Sequence, residues 1–207
     1  MSLREQKKAR ARRDILTAAS TLINDLGYER AKMRDIAAAA QISYQTLYNY
    51  FPTKALILQA ILTEDVAQTR SEIDALLNRY DGDVLKALDG INQLRLDIIS
   101  HHDRNLWRII VIDFFREQPA AGGVFHAIDQ AAHRVLEDLF NTAQLAGDLD
   151  ANVDTGLLAD TVFAINQWAT TNYVMDPTIG RETLLDHLRT QHALLVGPYL
   201  VNRGPAP

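Results

Sequence analysis

The chain has 207 residues, no cysteine and a net charge of −5. This length is enough to bury a hydrophobic core in one large or two small domains. The lack of cysteine excludes disulfide bonds, a thiol nucleophile and a thiolate metal site. The N-terminus has no apolar core of the signal-peptide kind, and no run reaches the roughly 18 apolar residues of a membrane span. We therefore expect a soluble cytoplasmic protein that has no membrane partner.

The charge is divided unevenly along the chain. Residues 1–60 contain ten Lys or Arg and five acidic residues, a net charge of +5, and the remaining residues carry −10. Six of the ten basic residues lie between Arg4 and Arg13. A basic N-terminal part on an acidic body predicts that only the N-terminal part meets a polyanion. The alternative is that the basic run is merely a solvated helix start.

The hydrophobic pattern is helical throughout, and no sustained period-two alternation indicates strands. The sequence predicts an all-α fold of about nine helices. In chain order they span 5–26, 33–40, 44–51, 53–80, 84–100, 105–118, 123–145, 155–175 and 181–200. Gly27 is placed to end the first helix, and Ser43 is placed to cap the third. We expect an N-terminal three-helix domain, residues 1–52 (the head), joined by a long fourth helix to a C-terminal domain, residues 53–207 (the body).

Residues 33–51 have the pattern of a helix-turn-helix, in which small and apolar residues hold two short helices at a steep angle. The predicted interior consists of Ile36, Ala37, Ala40, Ile42 and Leu47. The second of the two helices then presents uncharged hydrogen-bonding side chains outward, which suits base edges and phosphates: Tyr44, Gln45, Thr46, Tyr48, Asn49 and Tyr50.

This segment resembles the DNA-binding domain of the TetR family of bacterial transcriptional regulators. The resemblance is carried, in order, by Gly27-Tyr28, Arg34-Asp35-Ile36-Ala37, Ala40, Ile42-Ser43, Thr46-Leu47-Tyr48, Tyr50-Phe51, Lys54 and Leu58. It implies a homodimer on a palindromic double-stranded DNA operator, with a small-molecule effector bound in the body and no cofactor. A ligand-responsive repressor, released by a mostly apolar or aromatic effector, is the function that it implies.

The resemblance also implies individual roles. Thr46, Tyr48, Tyr50 and Lys54 match positions that contact phosphates, which fix the register without reading the sequence. We expect base-edge contacts from Tyr44, Gln45 and Asn49, with Arg34 as a fourth candidate. Arg34 has the alternative of pairing with an acid.

Four positions depart from the family pattern. Lys32 cannot cap the second helix through an oxygen, and Gln41 stands in a turn that favours Gly or Asn, so we expect a weak cap and local strain. Gln45 replaces a frequent Gly at the start of the recognition helix, and Tyr50 replaces a common His. An amide at position 45 can form a bidentate pair with adenine.

The last two helices are the predicted dimer interface, because two such helices from each chain form a four-helix bundle. Their alternative is packing within the chain alone. The interface candidates are Leu158, Val162, Ile165, Ala169, Leu185, Leu188, Leu195 and Tyr199.

Residues 105–118 form a helix more apolar than a surface helix requires, and the resemblance implies that it lines an effector pocket. Ordinary core packing is the alternative for each of its residues, and Asn166 has the further alternative of lining the dimer seam. The effector candidates are Trp107, Ile110, Val111, Phe114, Phe125, Phe163, Asn166 and Trp168.

Rival functions rest on weaker patterns. His126, Asp129, His133 and Glu137 share one face of a helix and suggest a metal stripe, but the same pattern fits the polar shoulder of an amphipathic helix. The sequence contains no nucleophile-elbow, Walker or dinucleotide-binding glycine pattern. We therefore predict no metal, no catalytic residue and no enzyme. The alternatives are a helical protein-interaction module without DNA binding and, with less support, a metal-dependent helical enzyme.

Overall fold

The computed structural model describes residues 2–101, 104, 106–108, 111 and 124–201. Within them the chain is helical, which confirms the all-α prediction. Eight helices have defined bounds in these residues, and residues 104, 106–108 and 111 are helical too. The helices are α1 (Leu3–Leu26), α2 (Met33–Ala39), α3 (Tyr44–Tyr50), α4 (Lys54–Leu77), α5 (Val84–His101), α6 (Val124–Ala146), α7 (Thr155–Met175) and α8 (Arg181–Val196).

Local signals set the ends of the head helices. The Ser2 hydroxyl and the Glu5 carboxylate form a reciprocal capping box at the start of α1. Gly27 ends α1 with a φ of +82°, which a residue without Cβ adopts at little cost. Lys32 gives α2 no side-chain cap, and Gln41 holds a φ of +56° in the turn between α2 and α3. The weak cap and the strained turn predicted from the sequence are therefore confirmed.

The head packs around one apolar core, and α4 belongs partly to it. Ile36, Ala37 and Leu47 are buried at the angle between α2 and α3, as predicted. The core also takes in the first half of α4 from Ile57 to Leu62, together with Leu106 from the far part of the chain. The division between residues 52 and 53 stays a prediction, since the head core continues beyond it.

The body has two further apolar clusters. One joins the end of α4 with α5, α6 and the start of α7, and the other joins α5 with α7 and α8. Gly90 permits the close approach of α4 and α5, because a Cβ at this position would lie 2.5 Å from Leu76 Cδ1. Since α4 contributes to the head core and to the body core, it connects the two as predicted.

The end of the described chain is held against the turn between α6 and α7. Helix α8 stops at Val196 and a 3₁₀ turn follows at Gly197–Tyr199, because Pro198 has no amide hydrogen to continue the helix. The predicted end at residue 200 was therefore too late. Leu200 then forms an isolated antiparallel bridge with Leu149. Among the described helices, none is both long enough and apolar enough to cross a membrane.

Candidate nucleic-acid interface and effector site

Helix α3 exposes polar and aromatic side chains on a buried anchor. Leu47 is fully buried, whereas Tyr44 and Tyr48 are 47% and 48% exposed. Ser43 caps the helix by accepting a hydrogen bond from the Thr46 amide at 3.0 Å, which confirms its predicted role. The exposed face is thereby fixed relative to the head core.

Two amides on this face contact each other. Gln45 Nε2 donates a hydrogen bond to Asn49 Oδ1 at 3.2 Å, one helical turn away. Both side chains are exposed. The bond orients the free Asn49 amino group and the free Gln45 oxygen, so the pair offers a donor and an acceptor to a base edge.

The predicted phosphate contacts fall into two groups. Tyr48 points its ring into solvent, whereas Tyr50 is half-buried against the head core and Thr46 is half-buried beside the Ser43 hydroxyl at 2.8 Å. The Lys54 ammonium donates to the Tyr28 carbonyl and lies 4.1 Å from the centre of the Tyr28 ring. Burial lowers the pKa of Lys54, against the charge of Glu29, so this lysine already has a structural contact in the free protein.

Positive charge surrounds this face. Arg34 is exposed and makes no ion pair with any described residue, which disfavours its alternative role as the partner of an acid. At the α1 arm, Arg12 pairs with Glu64 of α4 and lies over the Phe51 ring, which connects the arm to the head core. Lys7, Lys8 and Arg13 remain exposed on the same helix.

The helical stretch around residue 106 connects the head to the body. Leu106 is buried in the head core, Trp107 packs against both the head core and the α5–α7–α8 cluster, and Val111 packs against the latter. Trp107 Nε1 also donates to the Ile99 carbonyl at 3.1 Å, which fixes its ring. A displacement of this stretch in the body would therefore also displace side chains of the head core.

The other effector candidates occupy different environments. Phe163 is half-buried and meets the His133 ring edge-on at a centroid distance of 5.9 Å, and Asn166 is fully buried. Trp168, in contrast, is 63% exposed and faces away from the interior of the chain. Ile110 and Phe114 lie outside the described residues, and Phe125 belongs to α6 but its side chain is outside them as well.

Sequence reasoning missed Arg95 and His192, which contact polar residues of α7. Arg95 of α5 donates to Gln167 Oε1 at 3.2 Å, and Gln167 Nε2 donates to Asp129 Oδ1 at 2.9 Å. His192 Nε2 lies 2.9 Å from Asn166 Oδ1. These partners are far apart in the chain, so no local spacing signals the cluster.

A cleft of about 650 Å³ lies at the other end of the body. Its lining includes Tyr80, Asp81, Gly82, Asp83 and Asp148. Asp148 accepts a hydrogen bond from the Tyr80 hydroxyl at 3.2 Å, and burial followed by the charge of Asp148 raises the pKa of Tyr80. None of the predicted effector residues lines this cleft, and its carboxylates do not suit an apolar or anionic ligand.

Most of the predicted dimer residues are buried inside the single chain, which favours their alternative of packing within the chain. The side chains that pack within the body core are Leu158, Val162, Ala169, Leu185 and Leu188. Ile165 and Leu195 are half-buried, and Tyr199 is exposed. The same two helices expose a different apolar set, with Leu157 at 64%, Trp168 at 63% and Leu194 at 72%.

The metal stripe does not form a ligand set among the described side chains. His133 contacts Asp160 at 2.7 Å and Glu137 at 3.8 Å, whereas Asp129 contacts Gln167, and the side chain of His126 lies outside the described part. No group of three His, Asp or Glu side chains in the described part is arranged to hold a metal ion.

A capped recognition helix on a packed head, flanked by exposed basic residues and connected to a larger helical body, is typical of a helix-turn-helix DNA-binding protein. Residues 15–61 match the model of the bacterial regulatory proteins of the tetR family. This match covers the head and the start of α4, and it identifies a DNA-binding segment of the TetR type in this part of the chain. The proteins that the chain resembles are transcriptional regulators.

Three known proteins show the extent of the similarity. The transcriptional activator FasR of Mycolicibacterium smegmatis is 26% identical over 165 residues, which cover 80% of this chain and 75% of FasR. The repressor FadR of Thermus thermophilus, solved with lauroyl-CoA, matches with a TM-score of 0.66 at 20% identity, over 95% of this chain and 98% of FadR. A regulator from Saccharomonospora viridis, solved with choline, matches with a TM-score of 0.69 at 22% identity, over 94% of this chain and all of its own.

Proposed function

We propose that the protein is a ligand-responsive repressor that binds a palindromic operator as a homodimer and is released by an apolar small molecule. One observation carries the DNA-binding part of the proposal. Helix α3 exposes amide and tyrosine side chains on one face, while its buried Leu47 holds the helix against the head core. Tyr44, Gln45 and Asn49 read base edges, and Tyr48 and the basic arm hold phosphates.

The effector part of the proposal rests on the link between body and head. Trp107 and Val111 contact the α5–α7–α8 cluster, and Leu106 lies in the head core. A ligand that binds one arrangement of the body more tightly than the other therefore shifts the equilibrium between the two, and with it the position of the head. The difference in affinity sets the size of this shift. The acyl-CoA bound to the Thermus protein suggests an acyl ligand, since its long apolar chain matches an apolar helical body.

The dimer part of the proposal uses the exposed apolar stripe of α7 and α8. Leu157 and Trp168 lie eleven residues apart, three helical turns, and so share one face of α7, and Leu194 is exposed on α8. Monomeric proteins seldom expose three such side chains on adjacent helices without a partner. A twofold axis through this face makes the contact self-complementary and allows two α3 helices to reach half-sites roughly 34–36 Å apart.

Selection of bound sequences from a random DNA pool tests the proposal. We expect a palindrome with two half-sites, bound more weakly as salt rises. Addition of lauroyl-CoA is then expected to lower the affinity for the selected operator. Tighter binding with lauroyl-CoA would instead indicate an activator such as FasR, and the absence of binding to any duplex at low salt would reject DNA recognition.

A further inference from the structure

The interior of the body contains a hydrogen-bond donor that has no partner among the described residues. Asn166 of α7 is fully buried, and its Oδ1 lies 2.9 Å from His192 Nε2 of α8. Its Nδ2 makes no hydrogen bond within the part of the chain that the structure describes. An unpaired buried amide costs on the order of 1–3 kcal/mol, so native proteins rarely keep one unless a bound molecule completes it.

A positive charge contacts the next residue of α7, Gln167. The Arg95 guanidinium donates to Asn92 Oδ1 at 3.4 Å and to Gln167 Oε1 at 3.2 Å, and both acceptors are neutral amides. Arg95 has no ion pair with a carboxylate in the part of the chain that the structure describes. Burial lowers the pKa of Arg95, and the charge of Asp129 acts in the opposite direction.

The charge of Arg95 also acts on the residue that holds Asn166. Burial first and Arg95 second lower the pKa of His192 to about 4, against the charge of Asp89. His192 is therefore neutral at pH 7 and does not supply a second cation. The cluster thus combines one half-buried cation with one amide donor that has no partner among the described residues.

We propose that Asn166 and Arg95 bind the oxygen-bearing end of the effector, a carboxylate or an acyl carbonyl. The inference rests on the proposed function, because it needs an effector in the body. Asn166 Nδ2 donates a hydrogen bond to the ligand oxygen, and the Arg95 guanidinium supplies the charge. The adjoining α5–α7–α8 cluster includes Leu96 and Ala169, so the surroundings of the two contacts are apolar.

The same residues disfavour a cationic ligand such as the choline of the Saccharomonospora protein. A quaternary ammonium group is held by open aromatic faces. In this chain the Arg104 guanidinium already covers the Tyr173 ring at 4.0 Å, and Arg95 would repel a second cation. The positive charge of Arg95 therefore favours a ligand that carries an oxygen acceptor or an anionic group over a cationic ligand.

Calorimetric titration of the full chain with three probes of equal chain length tests this assignment: laurate, lauroyl-CoA and dodecyltrimethylammonium. We expect the wild type to bind one or both oxygen-bearing probes at least tenfold more tightly than the cationic probe. Tighter binding of laurate identifies the carboxylate as the bound group, and tighter binding of lauroyl-CoA identifies the thioester carbonyl.

Two substitutions remove the proposed contacts. Asn166→Asp replaces the donor by a carboxylate oxygen, and Arg95→Gln removes the charge. Each is expected to weaken the oxygen-bearing probes at least tenfold and to leave the cationic probe unchanged or tighter. Arg95→Lys keeps the charge and is expected to retain most of the binding. Arg189→Gln is the matched control, because Arg189 pairs with Asp89 at 2.8 Å on the exposed side of α8.

Thermal unfolding checks that each variant folds. If Asn166→Asp does not fold, the comparison of Arg95→Gln with Arg95→Lys tests the assignment. If both variants bind the oxygen-bearing probes within twofold of wild type, only a water completes Asn166 and the assignment is wrong. Operator release by lauroyl-CoA in the same samples would then still support the proposed function. If the wild type binds neither oxygen-bearing probe, the assignment and the acyl effector are both rejected.

Discussion

Gln45 and Asn49 show how two side chains on α3 can act as one reading unit. The hydrogen bond from Gln45 Nε2 to Asn49 Oδ1 uses one donor and one acceptor of the pair. What remains is the Gln45 oxygen with its second amide hydrogen, and the Asn49 amino group. Adenine presents the matching acceptor and donor in the major groove, so we expect the pair to favour adenine over the other bases.

Replacement of Gln45 by alanine is expected to weaken binding to the selected operator by about 1–3 kcal/mol and to relax one base position in each half-site. Fluorescence anisotropy at fixed salt, on the operator and its single-base variants, measures both effects. Lys7→Gln is the control, because loss of a phosphate contact weakens all sequences alike. Equal weakening of every duplex by the Gln45 substitution would place Gln45 among the phosphate contacts instead.

The head could be predicted from the sequence because its signals are local. Ser43 caps α3 and Gly27 ends α1 through bonds that span a few residues, and Ile36 and Leu47 are apolar residues at helical spacing. Each of these features is visible in a short window. The role of Lys54 could be predicted only in part, because its contact with the Tyr28 carbonyl joins two segments 26 residues apart.

At the scale of helices, α7 shows why the surface of the body could not be predicted. This helix carries apolar residues on two faces, so helical periodicity alone does not decide which face packs inside the chain. Val162 packs in the core and Trp168 faces solvent, although both are apolar. The Arg95–Gln167 contact was equally hidden, because its partners are 72 residues apart and on different helices.

The contact between α7 and α8 makes stability depend on pH. The pKa of His192 is about 4 in the folded chain, lowered by burial and then by Arg95, against about 6.5 in an unfolded chain. Between these values the unfolded state binds the proton and the folded state does not. The free energy of unfolding therefore falls as pH drops from 6.5 towards 4, by up to about 3 kcal/mol from this group.

Urea unfolding of the wild type and of His192→Gln, at pH values from 7 to 4.5, measures this contribution. Glutamine can keep a polar contact with Asn166 but does not titrate. We expect the variant to lose stability less steeply than the wild type below pH 6.5. His187→Gln is the control, because His187 is exposed on the same helix. Parallel curves for wild type and His192→Gln would show that His192 does not set the slope.

At the scale of the whole molecule, the stretch that contains Leu106 and Trp107 joins the head core to the body, as α4 also does. The Leu106 side chain is fully buried among head residues, while its neighbour Trp107 contacts both the head core and the α5–α7–α8 cluster. Leu106→Ala is expected to cost about 2–5 kcal/mol of stability, as for other buried leucines. It is also expected to reduce the change in operator affinity that lauroyl-CoA causes.

A control separates the two effects of that substitution. Ile23→Ala removes a buried side chain from α1 in the same head core, away from the connecting stretch. It should lower stability similarly but leave the response to lauroyl-CoA intact. Stability comes from urea unfolding and the response from operator affinity with and without the ligand. An equal loss of response in both variants would mean that general loosening of the head, rather than the Leu106 contact, is responsible.

We expect two chains to assemble through the exposed apolar side chains of α7 and α8, namely Leu157, Trp168 and Leu194. Trp168→Arg places a charge at the centre of the proposed contact, where it would be desolvated without a partner. We expect the chain to become monomeric while its unfolding transition stays close to that of wild type, because Trp168 is 63% exposed in the single chain. A monomer binds one half-site, so operator affinity should fall at least tenfold.

Light scattering coupled to size-exclusion chromatography measures the molecular mass of the Trp168→Arg protein. Leu26→Arg, at an exposed position of α1 in the head, is the control and should remain dimeric. A Trp168→Arg protein that stays dimeric with full operator affinity would place the interface on another face.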